Sequence, residues 1–400
     1  MWIRRLTLSH FRNYKSLELE LPRGCTLILG DNAQGKSNLL EAAFLLATTR
    51  SDRVLTDGGL IHWDALDEAQ PIARVTADVE RNEGPLELEI VLVGRPQSAD
   101  RARVPASKRL RVNGVAKRQA DVVGQLMAVL FTTNDMELIS GSPSVRRRYL
   151  DVMLSQIDPA YTQALQRYGK VVTQRNALLK RIQSGEAGAD ELDFWDEELS
   201  GHGATLIDMR AAAMQALALH AATAHRNLSG GLEELACEYL PRLEGWDAAR
   251  CRDEAAGLEA AMRDALASNR PRDIGAGMTP TGPHRDDMAI ELDGVSAAAF
   301  ASRGQQRTAA LALRLAEARF MADTRGDVPV LLLDDVLSEL DEERRRAVLT
   351  SLGEWDQLLI TSADADRFTE EITPQAVFRV SAGVISPESD PSGQSKRTTG

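Results

Sequence analysis

Cysteine is nearly absent. The chain has three, Cys25, Cys237 and Cys251, odd in number and widely spaced. They cannot build a disulfide framework or a zinc site of closely spaced ligands, so a reducing compartment, the cytoplasm, is expected. Aromatic residues make up only 4%. An aromatic-rich surface for stacking nucleobases is therefore missing, and sequence-specific readout of a single strand is not expected. No apolar run approaches the ~18 residues that span a bilayer. Met1-Trp2-Ile3-Arg4-Arg5 leads into an alternating pattern rather than the apolar core of a signal peptide. Positive charge is not in excess: 47 Lys and Arg face 59 Asp and Glu, a formal net charge of −12. Any contact with nucleic acid must come from a local basic surface that works against the charge of the whole. Sustained heptads and internal repeats are also missing. Apolar residues are plentiful at 43%, enough for well-packed cores, and 400 residues predict two or three structural units.

The most specific feature present is Gly30-Asp31-Asn32-Ala33-Gln34-Gly35-Lys36-Ser37, the pattern G-x-x-x-x-G-K-[ST]. Its backbone N–H groups form a nest for a phosphate chain. Gly30 and Gly35 permit backbone angles and approaches that a Cβ would block. Lys36 can place its ammonium on the terminal phosphates, and Ser37 offers a hydroxyl to magnesium. The short apolar run Cys25–Leu29 reads as a buried strand and Asn38–Ala47 as a helix. This order aims the helix N-terminus at the phosphates. The competing reading is a glycine-rich turn before an ordinary helix.

Alternating residues predict strands over 2–8 and 17–21, Ile72–Glu80, Leu86–Val93 and Lys108–Val112 read as further strands, and Ala128–Phe131 reads as a short buried one. Asn113-Gly114 is a hairpin turn signal. Residues 1–140 thus form one lobe, a mixed sheet with the nucleotide loop at one edge. From 141 to 272 strand patterns all but vanish, and Tyr161–Gln183 and Leu206–Leu228 predict antiparallel helices around a turn at Ser184–Asp190, an all-α insert. Residues 273–385 form a second lobe, with strands at Met288–Leu292, Val328–Leu333, Leu358–Thr361 and Ala376–Val380 and helices at Arg307–Met321 and Glu342–Leu352. Residues 386–400 read as a disordered tail of Ser, Pro, Gly and Lys.

The run Val330–Leu333 followed by Asp334-Asp335 puts two carboxylates at the carboxyl end of a core strand, where open α/β sheets bind ligands. Asp334 is suited to hold magnesium and Asp335 to orient and deprotonate an attacking water; two solvated acids at a strand end are the alternative. Ser302-Arg303-Gly304-Gln305-Gln306 precedes the next helix and reads either as a simple N-cap or as an anion site.

With these pieces in this order, the chain resembles the ABC-type ATPase heads, the group of the SMC and Rad50 proteins, and within it the RecF family of bacterial recombination mediators. The resemblance rests on Phe11-Arg12-Asn13-Tyr14, the phosphate loop, and Gly141-Ser142-Pro143-Ser144-Val145-Arg146-Arg147-Arg148-Tyr149-Leu150-Asp151. It rests also on Gly282-Pro283-His284-Arg285-Asp286-Asp287, Ser302–Arg307, and Leu332–Asp335 running into Ser338-Glu339-Leu340-Asp341. It implies an α/β fold, a P-loop ATPase head with mixed sheets interrupted by a helical insert. It also implies ATP and Mg2+ as cofactors, with Ser37 and Asp334 on the metal, and a weak DNA-stimulated ATPase used as a switch. Two subunits would sandwich two nucleotides. Ser302, Gly304 and Gln305 would reach the partner's γ-phosphate, and Ser338 and Asp341 would line the seam. Arg12 would touch the nucleotide, and Thr361-Ser362-Ala363-Asp364 stands where transporters carry a switch histidine. Thr132 or Thr133 would fill the place of a Q-loop glutamine. Asp335 replaces the glutamate of many relatives. The implied function is ATP-gated binding of single-stranded or gapped DNA and of single-strand–duplex junctions in recombinational repair, replication restart and SOS induction. It would promote RecA loading with RecR and RecO. An SMC- or Rad50-like structural clamp head is the alternative, but such heads carry far longer inserts with heptads.

For DNA itself, Arg101, Arg103, Lys108, Arg109, Arg111, Lys117 and Arg118 cluster around one hairpin. That cluster reads either as a phosphate-contacting surface or as a solvated charged one. Arg146, Arg147 and Arg148 cannot all face one way on a helix, so one or two are expected as ion-pair partners.

Overall fold

The computed structural model describes residues 1–51, 53–95, 104–352, 355–364 and 373–388. The chain divides into two compact units, Met1–Asn134 with the chain from Met321 onward, and Asp135–Phe320. In order, the first unit contributes β1 (Trp2–Phe11), β2 (Tyr14–Glu20), β3 (Gly24–Leu29), α1 (Lys36–Thr48), β4 (Ile72–Glu80), β5 (Leu86–Gly94), β6 (Ala106–Val112), β7 (Val115–Lys117), α2 (Gln119–Val122) and β8 (Ala128–Thr132). The second contributes α3 (Met136–Ser140), α4 (Pro143–Ile157), α5 (Pro159–Gln183), α6 (Leu192–Leu228), β9 (Leu235–Leu240), α7 (Ala248–Asp253), α8 (Leu258–Ala276), β10 (Asp287–Leu292), β11 (Val295–Ser296), α9 (Ala297–Phe300) and most of α10 (Arg303–Arg325). The chain returns to the first unit for β12 (Val330–Asp334), α11 (Glu342–Leu352), β13 (Gln357–Ser362), β14 (Ala376–Ser381) and β15 (Val384–Pro387).

The strands of the first unit form two sheets. One is an antiparallel meander in the order β2-β1-β4-β5-β6-β7. Strands β1 and β4 alternate buried and more open positions, as expected of a sheet with one face on a core, whereas β5 is buried over Leu88–Leu92. The Asn113-Gly114 turn joining β6 to β7 has φ of 51° and 74°, the left-handed pair that hairpins need. The other sheet runs β15-β14-β3-β13-β12-β8, parallel except for β15. Its central strands read as unbroken apolar runs because both faces are covered: every residue of β13 is buried, and so are Val330–Leu333 of β12. Helix α1 packs against strands of both sheets. Ten of its thirteen residues are buried, which is why its sequence is apolar nearly all round.

This arrangement corrects one expectation. The nucleotide loop does not sit at the edge of a mixed sheet. It follows β3, an inner strand flanked by β13 and β14, whereas β1, β2 and β4–β7 belong to the antiparallel sheet. The two sheets are tied through Gln357, which is fully buried. Its side-chain oxygen accepts from Ile3 N–H at 2.8 Å, and its amide donates to Ile3 O at 2.8 Å and Pro22 O at 3.2 Å. One amide side chain thereby satisfies backbone groups at the irregularity in β1 between Ile3 and Arg5.

The second unit is helical but not without strands. The expectation of no strand across its middle is corrected by β9, which pairs with β10 from Leu235↔Leu292 to Leu240↔Asp287. Its signal, Leu235, Cys237 and Tyr239 at alternate positions, was hidden in helix-forming surroundings. α6 starts earlier than expected and runs 37 residues, about 55 Å. Likewise β15 reaches Pro387, two residues into the expected tail; residues 389–400 lie outside the described residues.

Two arginines are buried at the heart of this unit. Arg175 donates to Asp196 at 2.7 Å, Asp273 at 2.8 Å and Thr279 at 2.7 Å. Arg210 donates to Tyr161 Oη at 2.9 Å, Pro283 O at 2.7 Å and Asp151 at 2.7 Å, with Asp286 at 3.4 Å. Asp286, itself fully buried, accepts also from Tyr239 and from Arg242 N–H. Burial raises the Asp286 carboxyl against the pull of Arg210. Arg146 grips Asp287 with two bonds of 2.7 and 3.0 Å, and Arg147 donates to Asp286 O at 2.7 Å. The segment Gly282–Asp287 is thus a packing hub.

His284 adds a pH dependence to that hub. Its Nε2 lies 2.8 Å from Thr279 O and must donate, so Nδ1 accepts from Tyr168 Oη at 2.7 Å. The neutral ring satisfies both partners, and burial pulls its pKa down from 6.5 to about 4. Because the folded pKa is depressed, this contribution to stability is complete above about 6.5 and is lost as pH falls toward about 4. Urea unfolding from neutral pH to about pH 4 should show a shallower acid-side loss in His284→Gln than in wild type. Parallel curves would exclude His284 as the titrating group.

Candidate functional site

The site begins where β3 gives way to α1. Gly30 and Gly35 have φ of 152° and 122°, and Ala33 takes a left-handed 65°. A Cβ at Gly30 would stand 2.4 Å from Val380 O, and one at Gly35 would stand 2.5 Å from Asn13 Nδ2. Neighbouring chain therefore presses against the outside of the loop, and only glycine fits. The N-cap of α1 is Gly35, which has no side chain to cap, and its first turn holds no acidic residue. Its N–H groups and dipole are left to an anion. Lys36 is buried, and its Nζ donates to Gly30 O at 2.5 Å and Asp31 O at 2.9 Å. Burial lowers its pKa, while Asp335, Asp334 and Asp31 pull the other way.

The end of β12 supplies two carboxylates, and the neighbouring β13 supplies a threonine hydroxyl. Asp334 ends β12 and stands in register with Thr361 of β13 and Thr132 of β8. Ser37 Oγ donates to Asp334 Oδ1 at 2.7 Å, and Thr361 Oγ1 lies 3.0 Å from the same oxygen. Asp335 turns left-handed, with φ of 55°, unusual for a residue with a Cβ. Its N–H donates to Thr361 Oγ1 at 3.0 Å, and its Oδ1 is buried with no hydrogen-bond partner among the described residues. A serine hydroxyl beside a carboxylate is a hard, oxygen-only donor pair of the kind magnesium selects, and an unpartnered buried carboxylate oxygen has a proton-accepting role open to it. The residues present fit a magnesium–nucleotide pair.

Sequence reasoning missed what holds the loop. Asn13 Nδ2 donates to Gln34 O at 2.8 Å, and Asn38 Nδ2 donates to Asn13 Oδ1 at 2.8 Å. Tyr14 Oη donates to Gly35 O at 2.9 Å. From the opposite side, Ala382 N–H donates to Gln34 Oε1 at 2.7 Å and Gly383 N–H to Gln34 O at 3.1 Å. The β1–β2 and β14–β15 turns thus clamp one loop. Asn13 and Tyr14 stood inside Phe11-Arg12-Asn13-Tyr14, where a polar pair at a tight turn was the available signal. Arg12 itself makes two 2.8 Å bonds to buried Glu41 and one of 3.2 Å to Gly59 O. The structure places it on a protein carboxylate.

The other candidates make local contacts of their own. Ser302 and Gln305, in the second unit, cap α10 reciprocally: Gln305 Oε1 accepts from Ser302 N–H at 2.7 Å and Ser302 Oγ from Gln305 N–H at 3.3 Å. Gly304 O accepts from Thr308 at 3.0 Å, and Gln305 Nε2 donates to Glu233 at 2.8 Å. Asp341 caps α11 by accepting from Arg344 N–H at 2.9 Å.

The basic hairpin does not gather. The pleat of β6 sends Lys108 and buried Leu110 to one face and Arg109 and Arg111 to the other. Lys108 pairs with Asp57 at 2.7 Å, Arg111 with Glu89 at 2.9 Å and Arg118 with Asp121 at 3.2 Å. Arg109 and Lys117 are exposed; Arg101 and Arg103 lie outside the described residues. Acidic neighbours already neutralise much of the cluster.

The RecF/RecN/SMC N-terminal domain family matches residues 2–386. The DNA replication and repair protein RecF of Chloroflexus aggregans is 43% identical over 393 residues, covering 96% of this chain and 99% of its own length. That of Roseiflexus castenholzii is 42% identical over 396 residues, covering 97% and 100%. Among solved structures, the recombination mediator protein RecF-ATP of the RecFOR pathway superposes with a TM-score of 0.84 at 31% identity, covering 97% of this chain and 98% of its own. An SMC head bound to the winged-helix domain of ScpA, at 16% identity and a TM-score of 0.52, shares the fold alone. The architecture is that of the ABC-type ATPase head, with mixed sheets and a long helical region. This chain belongs to the RecF family, within the wider group that carries the RecF/RecN/SMC N-terminal domain.

Proposed function

We propose that this is an ATP-dependent DNA-binding protein of recombinational repair, replication restart and SOS induction. Nucleotide binding joins two copies, and a weak, DNA-stimulated hydrolysis releases them. The observation that carries the reading is the meeting of Ser37 and Asp334, 297 residues apart in sequence, at 2.7 Å beside the unpartnered oxygen of Asp335. The named relatives support it: they are DNA replication and repair proteins, and one solved relative is a recombination mediator with ATP.

In this reading ATP is the substrate. The loop N–H groups and Lys36 hold its phosphates, and Lys36 exchanges its two backbone carbonyls for phosphate oxygens. Magnesium, held by Ser37 and Asp334, would neutralise charge on the β- and γ-phosphates. Asp335 orients the attacking water and accepts its proton, and Thr361 fixes Asp335 through its N–H. Ser302, Gly304 and Gln305 of one copy complete the pocket of the other, with Asp341 at the seam. On DNA the protein rests at gaps, single-stranded regions and junctions, and it promotes RecA loading with RecR and RecO.

Light scattering tests the dimer. With ATP, Asp335→Asn should double in mass and stay doubled, because the nucleotide is not cleaved. Ser302→Arg should bind ATP with near-normal affinity yet keep the mass of one chain. A mass indifferent to nucleotide in both variants and in wild type would sink the two-copy reading.

A further inference from the structure

The second unit carries a groove of about 730 Å³ that the phosphate loop has no part in. Three arginines from three segments line it: Arg242 just after β9, Arg272 near the end of α8, and Arg285 just before β10. All three are exposed, and among the described residues none is ion-paired. Glu244 is the one carboxylate of the lining. In a chain with a net charge of −12, three guanidiniums against one carboxylate around one concavity are a local reversal of sign.

Two of these arginines stand on the buried hub described above. The N–H of Arg242 donates to Asp286 at 2.6 Å, and the N–H of Arg285 donates to Gly282 O at 2.8 Å. Within Gly282–Asp287 the only fully open side chain is that of Arg285, while its neighbours pack inward. The hub therefore holds two backbone anchors rigid beneath charged heads left to solvent, the arrangement expected of a preorganised site.

The geometry points to this groove as a seat for the sugar–phosphate backbone of nucleic acid, with Arg242, Arg272 and Arg285 each directed at phosphate oxygens. The planar guanidinium fork matches phosphate geometry. Pro241 and Pro280 in the lining contribute no backbone donor, and the charged donors there are the three guanidiniums, which suits a contact that tracks the sugar–phosphate backbone. Among the described residues no aromatic side chain lines the groove, so recognition there is independent of base identity. The inference rests on the proposal that the protein binds DNA, and it places that contact in the second unit instead of on the β6–β7 hairpin.

The test uses the full chain, a fluorescein-labelled gapped duplex, and a salt titration with nucleotide present. Arg272→Gln with Arg285→Gln should weaken binding about tenfold. The slope of log affinity against log salt should fall by nearly two, about 0.9 for each phosphate no longer neutralised. Glu244→Gln should tighten binding about two- to threefold by removing a repelling charge. ATP affinity and melting temperature should not move in any of them. As a second measurement, benzoylphenylalanine in place of Met278, a half-exposed groove residue, should crosslink to the labelled strand. Wild-type affinity and slope in the double variant, with no crosslink, would overturn the assignment. Loss of binding to an acidic protein but not to DNA would overturn it in favour of an acidic polypeptide. A wild type that binds no DNA, with or without nucleotide, would instead show that the DNA-binding reading itself has failed.

Discussion

Alanine in place of Lys36 will lower ATP affinity by about two orders of magnitude and abolish measurable hydrolysis. A charge-assisted hydrogen bond is worth about 1.5–3 kcal/mol when the group it serves is left unpaired, and about 1.4 kcal/mol corresponds to tenfold in affinity. Lys36 is buried between two backbone carbonyls, with three carboxylates among the groups acting on its charge. It is held at the mouth of the loop, so little ordering remains when phosphate arrives. The substitution also removes an ammonium whose burial is unfavourable, so folding should suffer little. Titration of a fluorescent ATP analogue, with a thermal melt as control, checks both halves. Affinity within threefold of wild type would remove the phosphate loop from the mechanism.

The largest structural effect is expected at Arg210. Its guanidinium is buried among Tyr161, Asp151, Asp286 and Pro283 O, and Asp286 is fully buried as well. Truncation to alanine leaves Asp286 with its Tyr239 and Arg242 contacts but without a compensating cation. Breaking a buried pair from one side costs about 3–5 kcal/mol, a large part of the stability of a typical domain. Urea denaturation should show that loss, and the Arg210→Lys variant should recover only part of it, because the three donors of a single ammonium nitrogen cannot reach the four diverging partners of the guanidinium. A loss below about 1 kcal/mol on alanine substitution would mean that water or rearranged side chains solvate Asp286.

Parts of the molecule were legible without coordinates. Strand alternation in β1, β4 and β5, the Asn113-Gly114 turn and the helix over Tyr161–Gln183 depend on neighbours within a few residues, where period and turn chemistry act directly. The phosphate loop was legible for a different reason, since each of its residue types has a separate chemical duty. The places where reading failed share a cause. β9 is a short strand whose identity comes from its partner β10, some 50 residues on. The sheet that receives β3 is decided by β13 and β14, which lie more than 300 residues away. The basic cluster looked coherent along the chain, but a pleat of period two divides it between two faces.

What the chain by itself determined is the list of chemical groups and their local conformation: the nest-forming loop, two consecutive carboxylates after an apolar strand, and an acidic chain with few aromatics and cysteines. Tertiary structure alone decided which groups meet. It brought Ser37 onto Asp334, set Asn13 and Gln34 to brace the loop, put Arg12 on Glu41, and turned a run of family-specific residues into a buried ionic hub. The physical reason is range. Dihedral preference and amphipathic period act over a few residues, whereas a buried carboxylate finds its partner only once register and packing have brought distant segments within hydrogen-bond distance.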